Sequence, residues 1–320
     1  MDLPLWAWLA FVAGVLILLA LDLGIFHRKA HVVRVREAAF WTAVWVTLSL
    51  AFGYVISRWL GPQKAVEYLT GYVLEWSLAV DNIFVFVLVF NFFRTPFKYQ
   101  QRALLWGVLG ALAMRGIMIG VGVTLIQTFH WVLYVFGAFL LFTGLRMLLS
   151  RDDQETDLSA NPALKLARRF LRVSPDYDGQ RFFTVVDGVR MATPLLLVLV
   201  VIDFADVIFA VDSIPAIFAV TTDPFIVFTS NAMAVLGLRS MYFLLANIVH
   251  RFAYLQAGLA VILSYIGVKM LLLDLVHIPT AVSLGVVVGI LGISILASLL
   301  FGKPNEALRS QVDEREAAAG

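Results

Sequence analysis

Apolar residues gather into nine long runs along the chain, roughly 5–26, 38–60, 66–92, 101–127, 129–150, 193–219, 224–247, 253–274 and 278–302. A helix rising 1.5 Å per residue needs roughly 20 residues to cross a hydrocarbon core, and each run is of that order. Pro62, Pro96, Pro194, Pro224 and Pro279 stand at or near the run boundaries, where a missing N–H costs least. The pattern predicts an all-α polytopic membrane protein of about nine transmembrane helices, with 1–302 as one transmembrane domain and 303–320 as a tail. The first run follows no basic stretch and shows no small-residue cleavage site, so it is expected to be a retained span.

The polar intervals orient this bundle. With the N-terminus outside, eighteen Lys and Arg residues fall on inner intervals and only Arg58 and Lys64 on outer ones. Lys and Arg concentrate on the cytoplasmic side of membrane proteins. The N-terminus is therefore expected outside and the C-terminus in the cytoplasm, which an odd number of spans allows. The long polar interval 151–192 reads as a cytoplasmic loop with one short amphipathic helix near 162–173.

The runs also resemble one another. Glu75-Trp-Ser-Leu-Ala-Val-Asp81-Asn82-Ile in the third run parallels Asp206-Val-Ile-Phe-Ala-Val-Asp212-Ser213-Ile in the sixth. The fourth and seventh runs each carry one central arginine, Arg115 and Arg239. The fifth and eighth end in Gly144-Leu-Arg146-Met-Leu-Leu and Gly267-Val-Lys269-Met-Leu-Leu. Three successive helices thus match three successive helices, about 66–150 and 193–274. Adjacent repeats with an odd number of spans must lie upside down relative to each other, an architecture that transporters use around a polar site.

Composition narrows the class further. The chain is 61% apolar and 14% charged, against about 45–50% and about 25% in soluble domains. Such a chain needs the lipid bilayer as a partner. The net charge of +2 is spread between the apolar runs, so it reads as topology signals, and no nucleic acid is expected to bind. With zero cysteines these residues carry no disulfide, thiolate metal site or thiol redox chemistry. Gly-rich phosphate loops, nucleophile elbows and zinc motifs are absent from the sequence, so no enzyme activity and no tightly bound cofactor are expected.

The charges inside the runs are the candidate chemistry. Asp22, Glu75, Asp81, Asp203, Asp206 and Asp212 face only Arg115 and Arg239. A charge at the centre of a spanning helix costs about 2.5–3.5 kcal/mol, so protons, ion pairs or a metal must offset these acids. The two arginines either neutralise acids as structural pairs or poise a site. Two cations leave several acids over, on the third and sixth runs. Asp203 and Asp206 at i, i+3 share a face. Pro215 is expected to kink the sixth run beside Asp212 and free the Val211 carbonyl. Arg146 and Lys269 are expected to snorkel to opposite surfaces, and Glu67 and Asp274 sit at run ends. Glu75, Asp81, Asn82, Asp203, Asp206, Asp212 and Ser213 form an oxygen-only donor set, which suits Mg²⁺, Ca²⁺ or Mn²⁺.

At Glu75–Phe86 and Phe204–Phe218, with Asn231 and Gly237-Leu-Arg239-Ser-Met-Tyr-Phe, the sequence resembles the TerC family, in particular its Alx-type members, over nearly the whole chain. The resemblance implies a multi-pass protein of the bacterial inner membrane, associated with tellurite resistance and alkaline induction, and export of Mn²⁺. It makes Glu75, Asp81, Asp206 and Asp212 the expected metal-pathway acids, with Asp203 where relatives often carry glutamate. The expectation is an exporter of a hard divalent cation, Mn²⁺ foremost, through a carboxylate-lined site between inverted repeats, with Arg115 and Arg239 as ion-pairing groups. The alternative is a non-transporting scaffold that assembles a stress-response or membrane-protein insertion complex through its cytoplasmic loop.

Overall fold

Proline and aspartate punctuate the helices where the sequence places them. In the computed structural model, which describes residues 4–21, 35–129, 131–149, 162–186, 188–246, 254–276 and 278–301, Pro62, Pro194 and Pro224 occupy first turns of helices. Asp223 caps one of them, its Oδ1 accepting from the amides of Phe225 at 3.1 Å and Ile226 at 3.4 Å. The side chains of Val80, Asp81, Phe84, Ala163, Arg168 and Phe170 are outside this description, as are Asp22, His130, His277 and the tail 303–320.

In chain order the elements are α1 (Leu5–Leu21), α2 (Val35–Trp59), α3 (Pro62–Phe92), α4 (Phe97–Thr128), α5 (Val132–Leu149), α6 (Pro162–Phe170), β1 (Phe183–Val186), β2 (Val189–Ala192), α7 (Pro194–Phe218), α8 (Pro224–Leu245), α9 (Leu255–Leu271) and α10 (Thr280–Phe301). Every apolar run of the sequence coincides with one helix. By length and composition α2, α4, α5, α7 and α10 are apolar enough to cross a membrane, whereas α1 and α9 are shorter apolar helices of 17 residues. α3 and α8 are less apolar because they turn polar side chains inward: Glu75 and Asn82 from α3, and Thr229, Ser230, Asn231 and Arg239 from α8, are buried.

The helices pack in a reciprocal pattern. α3 lies against α8 as α7 lies against α4, while α3 meets α7, α4 meets α8, and α5 runs closely along α9. Glycine permits the last contact. A Cβ on Gly144 would stand 2.7 Å from the Ala260 carbonyl, and one on Gly267 would stand 2.7 Å from the Gly137 carbonyl. α2 covers α8 and α3, and α10 covers α3 and α9.

α7 continues as one helix through Pro215 to Phe218, and Pro215 has no N–H to offer the Val211 carbonyl. Two expectations are corrected. Lys269 does not snorkel; it is buried and donates to Ser283 Oγ on α10 at 2.9 Å. The polar loop contains more than one amphipathic helix. After α6 it forms an antiparallel hairpin, β1 to β2, which the dipeptide Asp187-Gly188 between β-branched residues signals in the sequence.

Candidate functional site

Glu75 of α3 and Asp206 of α7 converge on one arginine. Arg115 of α4 donates from Nε to Asp206 Oδ2 at 3.0 Å and from Nη2 to Asp206 Oδ1 at 2.8 Å. Its Nη1 pairs with Glu75 Oε1. All three side chains are buried. A planar guanidinium suits this arrangement, because its fork fills two carboxylate oxygens and still projects a donor to a second acid. Asn82, two turns along α3 from Glu75, donates from Nδ2 to Asp206 Oδ1 at 3.4 Å.

A cavity of about 340 Å³ opens beside this triad. Glu75, Asn82 and Arg115 line it with Asp212 and Ser213 of α7 and Gln256 of α9, and Leu78, Val85, Leu88, Met147, Phe209 and Leu263 form its apolar walls. Within reach of that space, Asn82 Oδ1 and Ser213 Oγ are buried with no hydrogen-bond partner. Buried polar atoms are nearly always paired, so two orphaned oxygens on one cavity mark a place that takes up water or an ion. Asp212, half-buried, adds a carboxylate to the same wall.

Of the residues singled out from sequence, the structure therefore brings Glu75, Asn82, Asp206, Asp212, Ser213 and Arg115 around one space or its immediate border. The backbone of Asp81 lies on α3 between Glu75 and Asn82; its side chain is outside the description. Asp203 goes elsewhere. Its carboxylate rests on the glycine face of α4, so that a Cβ on Gly110 would stand 2.8 Å from Oδ1, and that oxygen has no partner. Arg239 is buried on α8 and borders, with Asp206, a void of about 10 Å³. Among the described residues, no three His, Asp or Glu side chains are drawn close enough to hold a metal ion as the chain stands.

Sequence reasoning passed over one cluster. Lys64 at the start of α3 lies 2.9 Å from Glu67 Oε2 and 3.1 Å from Asp223 Oδ2. Thr221 Oγ1 donates to Glu67 Oε2 at 2.6 Å. The cluster ties the start of α3 to the α7–α8 connection. Glu67, four residues after Gln63 and three after Lys64, was its only local signal.

The family pattern described as integral membrane protein TerC family matches residues 60–306. An uncharacterised membrane protein of Myxococcus xanthus, STKORF319, is 51% identical over 306 residues, covering 96% of this chain and 95% of its own. The protein of Escherichia coli (strain K12) that bears the provisional name membrane-bound redox modulator Alx is 51% identical over 293 residues, 89% of this chain and 91% of its own. A membrane protein of Rickettsia bellii is 38% identical over 294 residues, 92% of this chain and 97% of its own. No solved structure matches the chain. A match over most of the length, motifs included, leads to one assignment: the chain belongs to the TerC family of integral membrane proteins.

Proposed function

We propose that the protein exports a hard divalent cation, Mn²⁺ foremost, across the bacterial inner membrane through the cavity beside Arg115. The observation that carries this reading is the donor set on that cavity: Glu75, Asn82, Asp212 and Ser213, all oxygen donors, two of them with orphaned oxygens. Hard cations of this class are held by carboxylate, amide and hydroxyl oxygens, and no thiol is present in these residues to favour a softer metal or to support redox modulation. At about 30 Å³ per water, 340 Å³ takes on the order of ten waters, enough for an ion to enter hydrated and shed ligands inside.

Inverted repeats supply the alternating access. Under the matching that sets Gly144 on Gly267, Gly137 falls on Ala260, and the two close contacts of α5 with α9, Gly137 to Gly267 and Gly144 to Ala260, exchange into each other. The α3–α8 and α7–α4 pairs exchange likewise. Both observations favour a two-fold relation in the membrane plane. The cavity walls run from Glu75 and Asp212 to Leu88, Met147 and Gln256, toward the helix ends that join the basic loops, so the resting form faces the cytoplasm. The Lys64, Glu67 and Asp223 cluster closes the opposite end.

In the empty site Arg115 supplies the cation that Glu75 and Asp206 require. An incoming Mn²⁺ at Glu75 and Asp212 competes with it for Glu75, which loosens the link between α3 and α4 and favours the outward form. The test is cellular Mn²⁺ content under Mn²⁺ load. Cells expressing the protein are expected to retain less Mn²⁺ than cells with an empty vector. Equal retention at verified expression would refute the export reading and leave the scaffold alternative.

A further inference from the structure

The hairpin β1–β2 presents apolar side chains on both faces instead of one. Phe183 and Val185 share a face with Arg190 and Ala192, and Val186 shares the other with Val189 and Met191, by the pairing Phe183 to Ala192 and Val185 to Arg190. Val185 is 68% exposed, Phe183 42%, Val189 39% and Val186 38%. A two-stranded ribbon is marginal in water by itself, and a hairpin on a soluble surface normally turns a polar face outward. Here valines lead both faces at the tip, with Arg190 opposite Val185 on one face and Thr184 opposite Met191 on the other.

The base of the hairpin sits beside exposed apolar surface of α4. Phe182 packs edge-on against Trp106 of α4, ring centroids 6.3 Å apart, and Trp106 is 46% exposed on a helix apolar enough to span. The Arg102 guanidinium lies over the same Phe182 ring at 5.4 Å. Gln180 Nε2 donates to the Lys98 carbonyl at 3.3 Å, so residues 180–182 climb alongside α4 from Lys98 toward Trp106. On the other side Thr193 Oγ1 donates to the Arg181 carbonyl at 2.7 Å, and Pro194 begins α7. The ribbon is thus clamped between two helices of the bundle at the depth where tryptophan and arginine mark an interface.

Basic side chains accompany the apolar tip. Arg190 stacks over Phe183 at 4.6 Å, and Arg172 and Arg181 are exposed at the base, Arg181 Nη1 lying 3.4 Å from Asp178 Oδ2. A stem on an apolar surface with a charged head free to reach outward is the snorkelling arrangement. Lys and Arg near a cytoplasmic leaflet gain from anionic headgroups.

We propose that this hairpin is an interfacial anchor for anionic phospholipid, with Val185, Val186 and Val189 among the upper acyl carbons and Arg181 and Arg190 on headgroup phosphates. The loop would then lie on the membrane at this point, next to the α4–α7 seam that holds Asp203.

The absence of cysteine allows a direct test. Val185→Cys and, as a water-exposed reference, Asp176→Cys are labelled with an environment-sensitive fluorophore and the full chain is reconstituted into phosphatidylglycerol vesicles. A tip buried about 5–10 Å into the headgroup boundary predicts quenching by lipid-borne nitroxide and several-fold weaker quenching by iodide at 185 than at 176. Replacing phosphatidylglycerol by phosphatidylcholine, or introducing Arg181→Gln with Arg190→Gln, is expected to raise iodide access at 185. Equal iodide access at both positions in phosphatidylglycerol would overturn the proposal and leave the tip to a soluble protein or a second copy. Shielding at 185 that ignores both headgroup charge and the two arginines would overturn its anionic part.

Discussion

The guanidinium of Arg115 on α4 grips the carboxylate of Asp206 on α7 with two nitrogens, at 3.0 and 2.8 Å, while a third nitrogen holds Glu75 on α3. One buried cation therefore serves two buried acids from two helices. The sequence alone invited one arginine per acid. The geometry instead makes Arg115 the pin through α3, α4 and α7.

Removing that pin leaves two buried acids uncompensated, a change that costs about 3–5 kcal/mol when one partner of a buried pair is lost. Arg115→Leu is expected to accumulate poorly in the membrane and to unfold earlier in detergent. Adding Glu75→Gln and Asp206→Asn to it should restore abundance without restoring Mn²⁺ efflux. Normal abundance of Arg115→Leu alone would show that the pair is not structural.

The α5–α9 seam depends on missing side chains. Gly267→Val places a Cβ 2.7 Å from the Gly137 carbonyl, and neither backbone can retreat cheaply. Overpacking of this kind typically costs about 1–3 kcal/mol. A Cβ on Gly14 of α1 meets nothing within 4 Å, and Gly14→Val serves as the control. Thermal unfolding in detergent should fall for the first variant and hold for the second; equal midpoints would contradict the seam.

Lys64 bridges Glu67 and Asp223 from a half-exposed position, so its worth to stability is small, on the order of 1 kcal/mol or less. Its effect is expected on conformation. Ser230, buried on α8 against Gly71 of α3, is a reporter of opening at that end. In a Ser230→Cys background, Lys64→Gln should increase labelling by an impermeant maleimide added outside. Unchanged labelling would remove the cluster from any gating role.

Much of the fold was legible because each helix announces itself by an apolar run bounded by proline or aspartate, as at Pro62, Pro194 and Asp223-Pro224. The acids of the site were legible because Glu75 and Asp206 have no cheap place in a span. Partner choice was not. Whether Asp203 turns to Gly110 or to Arg115, and whether Lys269 finds Ser283 or the surface, depends on distances between helices that no local pattern encodes. The hairpin was readable at Asp187-Gly188 between Phe183-Thr-Val-Val186 and Val189-Arg-Met-Ala192, but it follows a long polar stretch that reads as plain loop.

The central claim rests on Asp212, the carboxylate on the cavity wall outside the Arg115 pin. Asp212→Asn keeps the shape and removes a half-buried charge, so abundance should hold or rise. The direct measurement is Mn²⁺ flux into proteoliposomes carrying a Mn²⁺-quenched dye, for the wild type and for Asp212→Asn at matched protein content. The account predicts Mn²⁺-dependent quenching with the wild type and loss of at least about tenfold in rate, the equivalent of 1.4 kcal/mol, for Asp212→Asn. Wild-type flux from Asp212→Asn, or no flux above empty vesicles from the wild type, would contradict it.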